Sequence, residues 1–204
     1  SNGGNAGDVT PVLAMSYIRK LDNGVALGAM VSAPFGLKTE YDDNWVGRYL
    51  AHTSDVRIVD LTLSGAIDVT DKFSVGIGVI ASRADVTLSK SVDFGTLLFS
   101  NPATRPLPFA LPQAADGFAE VQGDDNGFGW LVGAHFRPTE NVAIGVCYRS
   151  EIDYQLSGPP HRTVPGNVAA VLGASPTTSP LFQDGNVSAK LTTPAILSVG
   201  AAWE

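Results

Sequence analysis

Apolar and polar residues alternate along much of this chain with the period of two that is typical of a β-strand. The alternation is cleanest between residues 56 and 69, where Val59, Leu61, Leu63 and Ile67 share one face of the predicted strand. Asp60, Thr62, Ser64 and Asp68 share the other face. A strand with one apolar and one polar face lies between two different environments, so its register is strongly specified.

The same pattern predicts eight strands over the whole chain. They cover residues 11–19, 25–33, 56–69, 73–90, 127–137, 142–156, 186–191 and 195–203. Very short turns join the members of each pair, and the first of these contains Asn23-Gly24, the strongest short hairpin signal. Long segments of about 34–55, 91–126 and 157–185 separate the pairs and are predicted to be loops.

The length of the strands and the order of the connections favour a membrane protein. Strands in soluble proteins usually have about 5–6 residues, whereas a tilted strand needs about 9–11 residues to cross a bilayer. Short turns at one end and long loops at the other are typical of bacterial outer-membrane barrels. The pattern therefore predicts one all-β domain, an antiparallel transmembrane β-barrel with short periplasmic turns and long extracellular loops.

Composition supports this prediction and excludes several other classes of protein. Hydrophobic residues make up 44% of the 204 residues and charged residues only 16%, against about a quarter charged in soluble proteins. No run approaches the roughly 20 apolar residues of a transmembrane helix. A net charge of −7 argues against nucleic acid as a partner.

Catalytic and metal-binding chemistry is not indicated by the residues. Cys147 is the only cysteine, which excludes an internal disulfide and a cysteine-rich zinc site. His52, His135 and His161 lack the spacing of metal ligands. We therefore expect no catalytic residues, no cofactor, no metal and no enzymatic activity.

Several stretches of the sequence carry motifs of one known family. They are SAPFGLKTEY at 32–41, WVGRY at 45–49, GDDNGFGW at 123–130, IGVCYRS at 144–150 with LSG at 156–158, and LTTPA at 191–195. In these motifs and in their order, the chain resembles the long-chain fatty acid transporter family of outer-membrane proteins, the FadL/TodX type.

The resemblance implies a larger protein than these predicted strands alone would form. Family members resemble one another in a 14-stranded barrel plugged by an N-terminal hatch, and about eight of those strands are expected here. The Asn-Pro-Ala signature of the hatch is missing, since the one Asn-Pro-Ala in the sequence, at 101–103, lies in the second predicted loop and is taken as coincidence. Residues 1–7 do not form a signal peptide. We expect the sequence to be trimmed or incomplete, and its strands to form a curved open sheet.

The resemblance also implies passive transport across the bacterial outer membrane. Family members carry long-chain fatty acids or other hydrophobic small molecules, which extracellular loops capture and which leave sideways through the barrel wall. The expected partners are the hydrophobic ligand and outer-membrane lipid, and the full-length protein is expected to be a monomer.

Apolar residues in the long loops are candidates for capture of the ligand, because exposed loops are normally polar. The candidates are Trp45 and Tyr49 in the first loop and Leu97, Leu98, Phe99 and Phe109 in the second. The alternative, that these side chains only pack the loops together, stays open.

The inner face of the fourth predicted strand suggests a lumen pocket. Val86 and Leu88 lead to Lys90, and an acyl chain needs apolar walls with a cation for its carboxylate. Lys90 could equally be a solvated lysine at a strand end. Arg149 is a second candidate for the carboxylate, with structural ion pairing to Glu151 or Asp153 as its alternative.

Pro34, Phe35 and Gly36 follow the second predicted strand and are candidates for a lateral gate. Proline removes a donor from the ladder and glycine permits a bulge, and the kinked strand of the family matches this position. The alternative is that the strand ends at Pro34.

A soluble lipocalin-like barrel that binds lipid is the alternative for the whole chain. Its outer face would then expose Val59, Leu61 and Leu63 to water, which is unfavourable. Aromatic girdles at the two membrane interfaces are predicted from Phe73, Phe136 and Trp203 at the periplasmic end and Tyr148 and Tyr154 at the other.

Overall fold

A computed structural model of the chain describes residues 1–7, 9, 12–21, 23–173 and 185–203 and contains the predicted strands. These residues form ten strands and two short helices. The strands are β1 (Ala14–Lys20), β2 (Val25–Glu40), β3 (Thr53–Thr70), β4 (Phe73–Asp93), β5 (Asp116–Thr139), β6 (Val142–Arg149), β7 (Ile152–Gly158), β8 (Pro160–Thr163), β9 (Val187–Thr193) and β10 (Ile196–Trp203). The helices are α1 (Phe94–Ser100) and α2 (Gly166–Leu172).

All ten strands belong to one antiparallel sheet, as the alternation predicts. Its main path runs β1-β2-β3-β4-β5-β6-β10, with β7, β8 and β9 beside it. Among the described strands, β1 and β10 are the two edges of this path. The described strands therefore confirm two expectations: the sheet is antiparallel, and it is open, as expected for part of a larger β-barrel.

The two faces of the sheet differ in burial along the strands. On β3, Val59, Leu61 and Leu63 are exposed, whereas Ile58 and Asp60 are buried. We call these the outer and the inner face. The outer apolar run from Val59 to Val69 is about 26 Å tall at 3.4 Å per residue and a tilt of about 40°. That height matches the apolar band of about 25 Å on outer-membrane barrels.

The strands extend further into the long-loop end than predicted. β2 continues to Glu40 and β5 begins at Asp116, so the first two connections cover 41–52 and 94–115. The predicted ends were placed where the apolar alternation stops, whereas backbone pairing continues between polar residues. The predicted start of the first strand at Pro11 lies outside the described residues, as does the 174–184 part of the third predicted loop.

The structure contains two helices that the sequence pattern did not predict, α1 in the connection between β4 and β5 and α2 in the connection between β8 and β9. The Asp93 carboxylate caps α1 by accepting a hydrogen bond from the Thr96 amide at 2.8 Å. Burial acts to raise the pKa of Asp93, but hydrogen bonds from Thr96 and Gln113 outweigh it and lower that pKa. Neither helix in the described part of the chain is long and apolar enough to cross a membrane.

The helices pack into a small core of their own, which we call the loop cluster. Because each helix is too short to be stable alone, this shared apolar core holds both in place. Its buried members are Phe94, Leu98, Ala110, Ala115, Val168 and Leu172.

Candidate functional site

The inner face of the sheet carries a packed apolar layer in the half nearer the long loops. β3 and β4 supply Ile58, Ile80 and Ala84, each at most 2% exposed. β7 covers them with Ile152, Tyr154 and Leu156. We call these six residues the packed layer. On β4, it covers the inner-face residues that precede Val86 and Leu88, the predicted apolar walls of the pocket.

The sixth predicted strand, 142–156, divides into β6 and β7 at Ser150. The last ladder pair of β5 with β6 is Leu131 with Arg149. Beyond it, the Ser150 amide donates to the Trp130 carbonyl at 2.9 Å, and the Ser150 hydroxyl accepts from the Trp130 amide at 3.0 Å. A side-chain oxygen thus closes the end of this ladder.

The faces of the chain are reversed after Ser150. On β6 the even-numbered residues face outward, whereas on β7 the even-numbered residues are buried on the inner face. The odd-numbered Glu151 and Asp153 are exposed. An unbroken alternation over the sixth predicted strand, 142–156, places these two acids on the inner face with Arg149, and the structure shows that this placement is wrong. Tyr154 is fully buried, so it does not belong to an aromatic girdle.

Glycines on β5 make room for the side chains of β7. A Cβ built on Gly127 would clash with Ile152 and lie 2.9 Å from Tyr154 Cε1. A Cβ on Gly129 would lie 2.8 Å from Ile152 Cδ1. These glycines therefore allow the bulky residues of β7 to lie over the inner face of β5.

A buried polar network lies within the packed layer and joins four strands. Arg149 Nη2 donates to Asp60 Oδ2 at 2.6 Å, and the Ser82 hydroxyl donates to Asp60 Oδ1 at 2.5 Å. The Ser82 and Tyr154 hydroxyl oxygens are 2.7 Å apart. Arg149 Nη1 is buried and has no hydrogen-bond partner among the described residues. We call these four residues the polar network.

The half of the inner face nearer the short turns is open. A concave space of about 830 Å³ lies against it, lined mainly by glycine, alanine and serine. Its lining includes Gly28, Ser64, Gly76, Gly145 and Ser198, and, nearest the polar network, Leu131 and Cys147.

The predicted head-group residue Lys90 lies at the long-loop end of β4. Ile80 and Ala84 on this strand are covered, but Val86 is only half-buried and Leu88 is 48% exposed. Lys90 is exposed and forms no ion pair in the part of the chain that the structure describes. An apolar strip that ends in a cation is therefore accessible here.

Trp45 and Tyr49, two predicted capture residues, make structural contacts: Trp45 within its own loop and Tyr49 with the first residue of β5. The Trp45 ring stacks on Tyr41 with 4.2 Å between centroids, and its indole N–H donates to the Ala51 carbonyl at 2.8 Å. The Tyr49 hydroxyl donates to Asp116 at 2.8 Å. Burial, and then this hydrogen bond, raise the pKa of Tyr49 to about 12, so the phenol stays a neutral donor at physiological pH.

The four predicted capture residues of the second loop fall into two pairs. Leu98 is fully buried in the loop cluster and Phe109 packs against it. Leu97 and Phe99 remain 50% and 39% exposed. Leu98 and Phe109 therefore pack the loops together, which is the alternative to a role in capture. Leu97 and Phe99 present an apolar surface.

The predicted gate residues form a β-bulge rather than the end of a strand. Ser32 pairs with Asp60 and Phe35 with Ile58, so that Ala33 and Pro34 lie opposite Val59 alone. A bulge bends its strand and locally disrupts the ladder. Phe35 then packs against the packed layer, with its ring centroid 5.5 Å from Arg149 Cζ.

Asp60 is the partner of Arg149 that the sequence analysis did not identify. Glu151 and Asp153 were considered because they are near Arg149 in the chain, but Asp60 is 89 residues away. The available signal was the inner-face position of both charges on their strands. An estimate of which strands face each other across the sheet would have been needed to use it.

The family described as outer membrane protein transport protein (OMPP1/FadL/TodX) matches residues 1–204. A long-chain fatty acid transport protein of Escherichia coli O6:H1 is 25% identical over 83% of this chain and 40% of its own length. A 47 kDa outer membrane protein of Pasteurella multocida is 34% identical over 72% of this chain and 34% of its own.

Solved structures give the same fold. The crystal structure of a Pseudomonas aeruginosa FadL homologue has a TM-score of 0.84 and 25% identity, covering 99% of this chain and 47% of that one. The Pseudomonas putida toluene transporter TodX has a TM-score of 0.63 at 16% identity, covering 94% and 50%. The chain thus spans about half the length of these structures and about 40% or less of the curated relatives.

Proposed function

The chain belongs to the outer membrane protein transport protein family (OMPP1/FadL/TodX), and on that premise we propose that it forms part of a passive transporter of hydrophobic small molecules. Long-chain fatty acids are the proposed cargo, in line with the name of the Escherichia coli relative. The observation that carries the proposal is the accessible apolar strip of Val86 and Leu88 that ends at Lys90, which forms no ion pair with any described residue.

Three features of the described residues support successive steps of transport. Exposed Leu97 and Phe99 offer an apolar surface for capture at the loops. The strip below Lys90 offers walls for an acyl chain and a cation for its carboxylate. The bulge at Ala33 and Pro34 interrupts the wall beside the packed layer, and we propose it as the lateral exit.

The outer face supports a membrane location over the lipocalin-like alternative. Leu61 on β3, Ile77 on β4 and Val132 on β5 are among many apolar side chains that are roughly half exposed or more. A continuous apolar surface of this kind is unfavourable in water and favourable against lipid. We propose that the full-length protein is a monomer whose outer surface contacts outer-membrane lipid, and that it carries out no catalysis.

Binding of oleate to the Lys90→Ala variant tests the head-group assignment. Losing one charge-assisted hydrogen bond costs about 1.5–3 kcal/mol, which corresponds to an affinity roughly tenfold or more lower. Equilibrium binding to the full-length protein in detergent is the measurement. Lys20→Ala is the matched control, because Lys20 is exposed at the opposite end of the sheet. Equal oleate affinity in Lys90→Ala and wild type would show the assignment to be wrong.

Deletion of Pro34 tests the lateral exit. Two residues of β2 lie opposite Val59, so removing one restores a continuous ladder without changing the pairs on either side. We expect oleate binding to persist and uptake into cells to fall at least about tenfold, because a closed ladder seals the wall. Pro34→Ala, which keeps the extra residue, should retain uptake. Undiminished uptake by the deletion variant would exclude this exit.

A further inference from the structure

We propose that Arg149 is a second carboxylate-binding residue, deep on the inner face beside the β2 bulge, and that Asp60 competes with the ligand for it. The inference rests on the proposed function, because it concerns the same cargo. It adds a distinction between substrates: a carboxylate would gain a charge-assisted hydrogen bond here, and a neutral hydrocarbon or alcohol would not.

The unused donor of Arg149 is the first observation behind this proposal. A guanidinium has five N–H donors in a fixed fork, and the recorded bond to Asp60 uses only Nη2. Nη1 is buried and has no hydrogen-bond partner among the described residues. Leaving a buried charged donor unsatisfied is costly, so an acceptor supplied by the ligand would lower the free energy of this site.

The satisfied state of Asp60 is the second observation. Its Oδ2 accepts from Arg149 and its Oδ1 from the Ser82 hydroxyl, which is itself 2.7 Å from the Tyr154 oxygen. The carboxylate is thus held on both oxygens and has no need of Nη1. The unused capacity for an anion therefore belongs to Arg149 alone.

The position of Arg149 between two compartments is the third observation. Leu131, its ladder partner, and Cys147, the next inner-face residue of β6, both line the open space of about 830 Å³. The guanidinium also lies 5.5 Å from the ring of Phe35, the first paired residue after the bulge. A carboxylate on Nη1 would sit where the packed layer meets the open space and the interrupted wall.

Lys90 and Arg149 would act on the cargo at different depths. Ser82, which belongs to the polar network, is eight residues from Lys90 along β4, or about 27 Å at 3.4 Å per residue. One carboxylate cannot occupy both positions at once. Lys90 would therefore hold the head group at the entry and Arg149 would receive it near the exit.

Paired variants of Asp60 and Arg149 test the inference. They are made in the full-length Lys90→Ala protein, so that the entry position does not mask the deeper one, and the probes are oleate and oleyl alcohol. Asp60→Asn removes the competing charge and should bind oleate about tenfold more tightly, the effect of one charge-assisted hydrogen bond. Asp60→Asn combined with Arg149→Gln should lose that gain. Oleyl alcohol affinity should stay within about twofold in both variants.

A purely structural role for the pair predicts a different pattern. In the double variant, Arg149→Gln removes the buried charge that Asp60→Asn would leave without its ion-pair partner, so this variant is expected to fold. Heat-modifiable mobility on gels verifies the fold. Oleate and oleyl alcohol affinities that change together would overturn the inference, as would equal oleate affinity in the single and double variants. A wild-type protein that binds neither probe would overturn the proposed function and the inference with it.

Discussion

The two halves of the inner face differ in the size of their side chains and in what those side chains do. Near the long loops, Ile58, Ile80 and Tyr154 are at most 2% exposed and form the packed layer. Near the short turns, Gly76 and Gly145 line an open space. One half is filled like a protein interior, and the other lies against an open concave space. Inward and outward residues alternate in both halves, so the alternation alone does not distinguish them. They differ in the size of the inward residues and in the presence of β7, whose side chains cover only the half nearer the long loops.

The polar network lies at the boundary of these halves. A buried ion pair is weak evidence for stability, because desolvation offsets its Coulomb energy. Asp60 and Arg149 instead fix one arrangement of β3 against β6, since each would be an unpaired buried charge in any other register. The boundary is therefore specified by charge, whereas the packed layer is specified by shape.

The largest expected effect on this comparison comes from Ile80→Ala. Deleting a fully buried isoleucine leaves a cavity, which costs about 2–5 kcal/mol, because Ile80 is 2% exposed in the packed layer. Ile77→Ala, on the outer face of the same strand and 68% exposed, should cost under about 1 kcal/mol. Urea unfolding in detergent measures both. Equal costs would mean that the packed layer is not a true core.

An intermediate effect is expected from leucine at two inner-face glycines. Gly127→Leu must displace Ile152 and Tyr154 and should cost about 1–3 kcal/mol through overpacking. Gly145→Leu meets nothing within 4 Å of the new Cβ, so its unfolding midpoint should barely change. If Gly145→Leu were the more destabilising substitution, the half nearer the short turns would be at least as tightly filled as the half nearer the long loops.

The smallest effect is expected from Tyr154→Phe. Removing the hydroxyl deletes the contact with Ser82 at 2.7 Å and keeps the ring in the packed layer. The expected cost is about 1 kcal/mol, the net value of one buried hydrogen bond. Tyr148→Phe on the outer face, where the tyrosine ring contacts Trp130, is the matched control. No loss of stability relative to that control would mean that shape alone holds β7.

Much of the fold could be predicted from the chain because the alternation is a local property. The faces of β3 follow directly from Val59 to Ile67, and the turn after β1 follows from Asn23-Gly24, where Gly24 adopts a φ of 76°. The exchange of faces at Ser150 could not be predicted, because apolar residues occupy even positions both before and after it. Only the glycines of the neighbouring strand show that Ile152 and Tyr154 must face inward.

The candidate site divides in the same way. Lys90 and the bulge at Pro34 were identified from neighbouring residues in one strand, and the structure places them in an accessible strip and an interrupted ladder. Leu98 and Phe109 could not be separated from Leu97 and Phe99 by sequence, because the separation depends on contact with α2 across the loop cluster.

By itself, the sequence determined a sheet with an apolar outer face and an inner face, because successive side chains along a strand point to opposite faces. Tertiary structure alone decided which inward residues meet. Asp60 and Arg149 are 89 residues apart, and their pairing depends on the order of the four strands from β3 to β6 and on the register of each. That order is not written in any local pattern, so the sequence could name Arg149 as a candidate for the carboxylate but could not identify Asp60 as its partner or the polar network that they form.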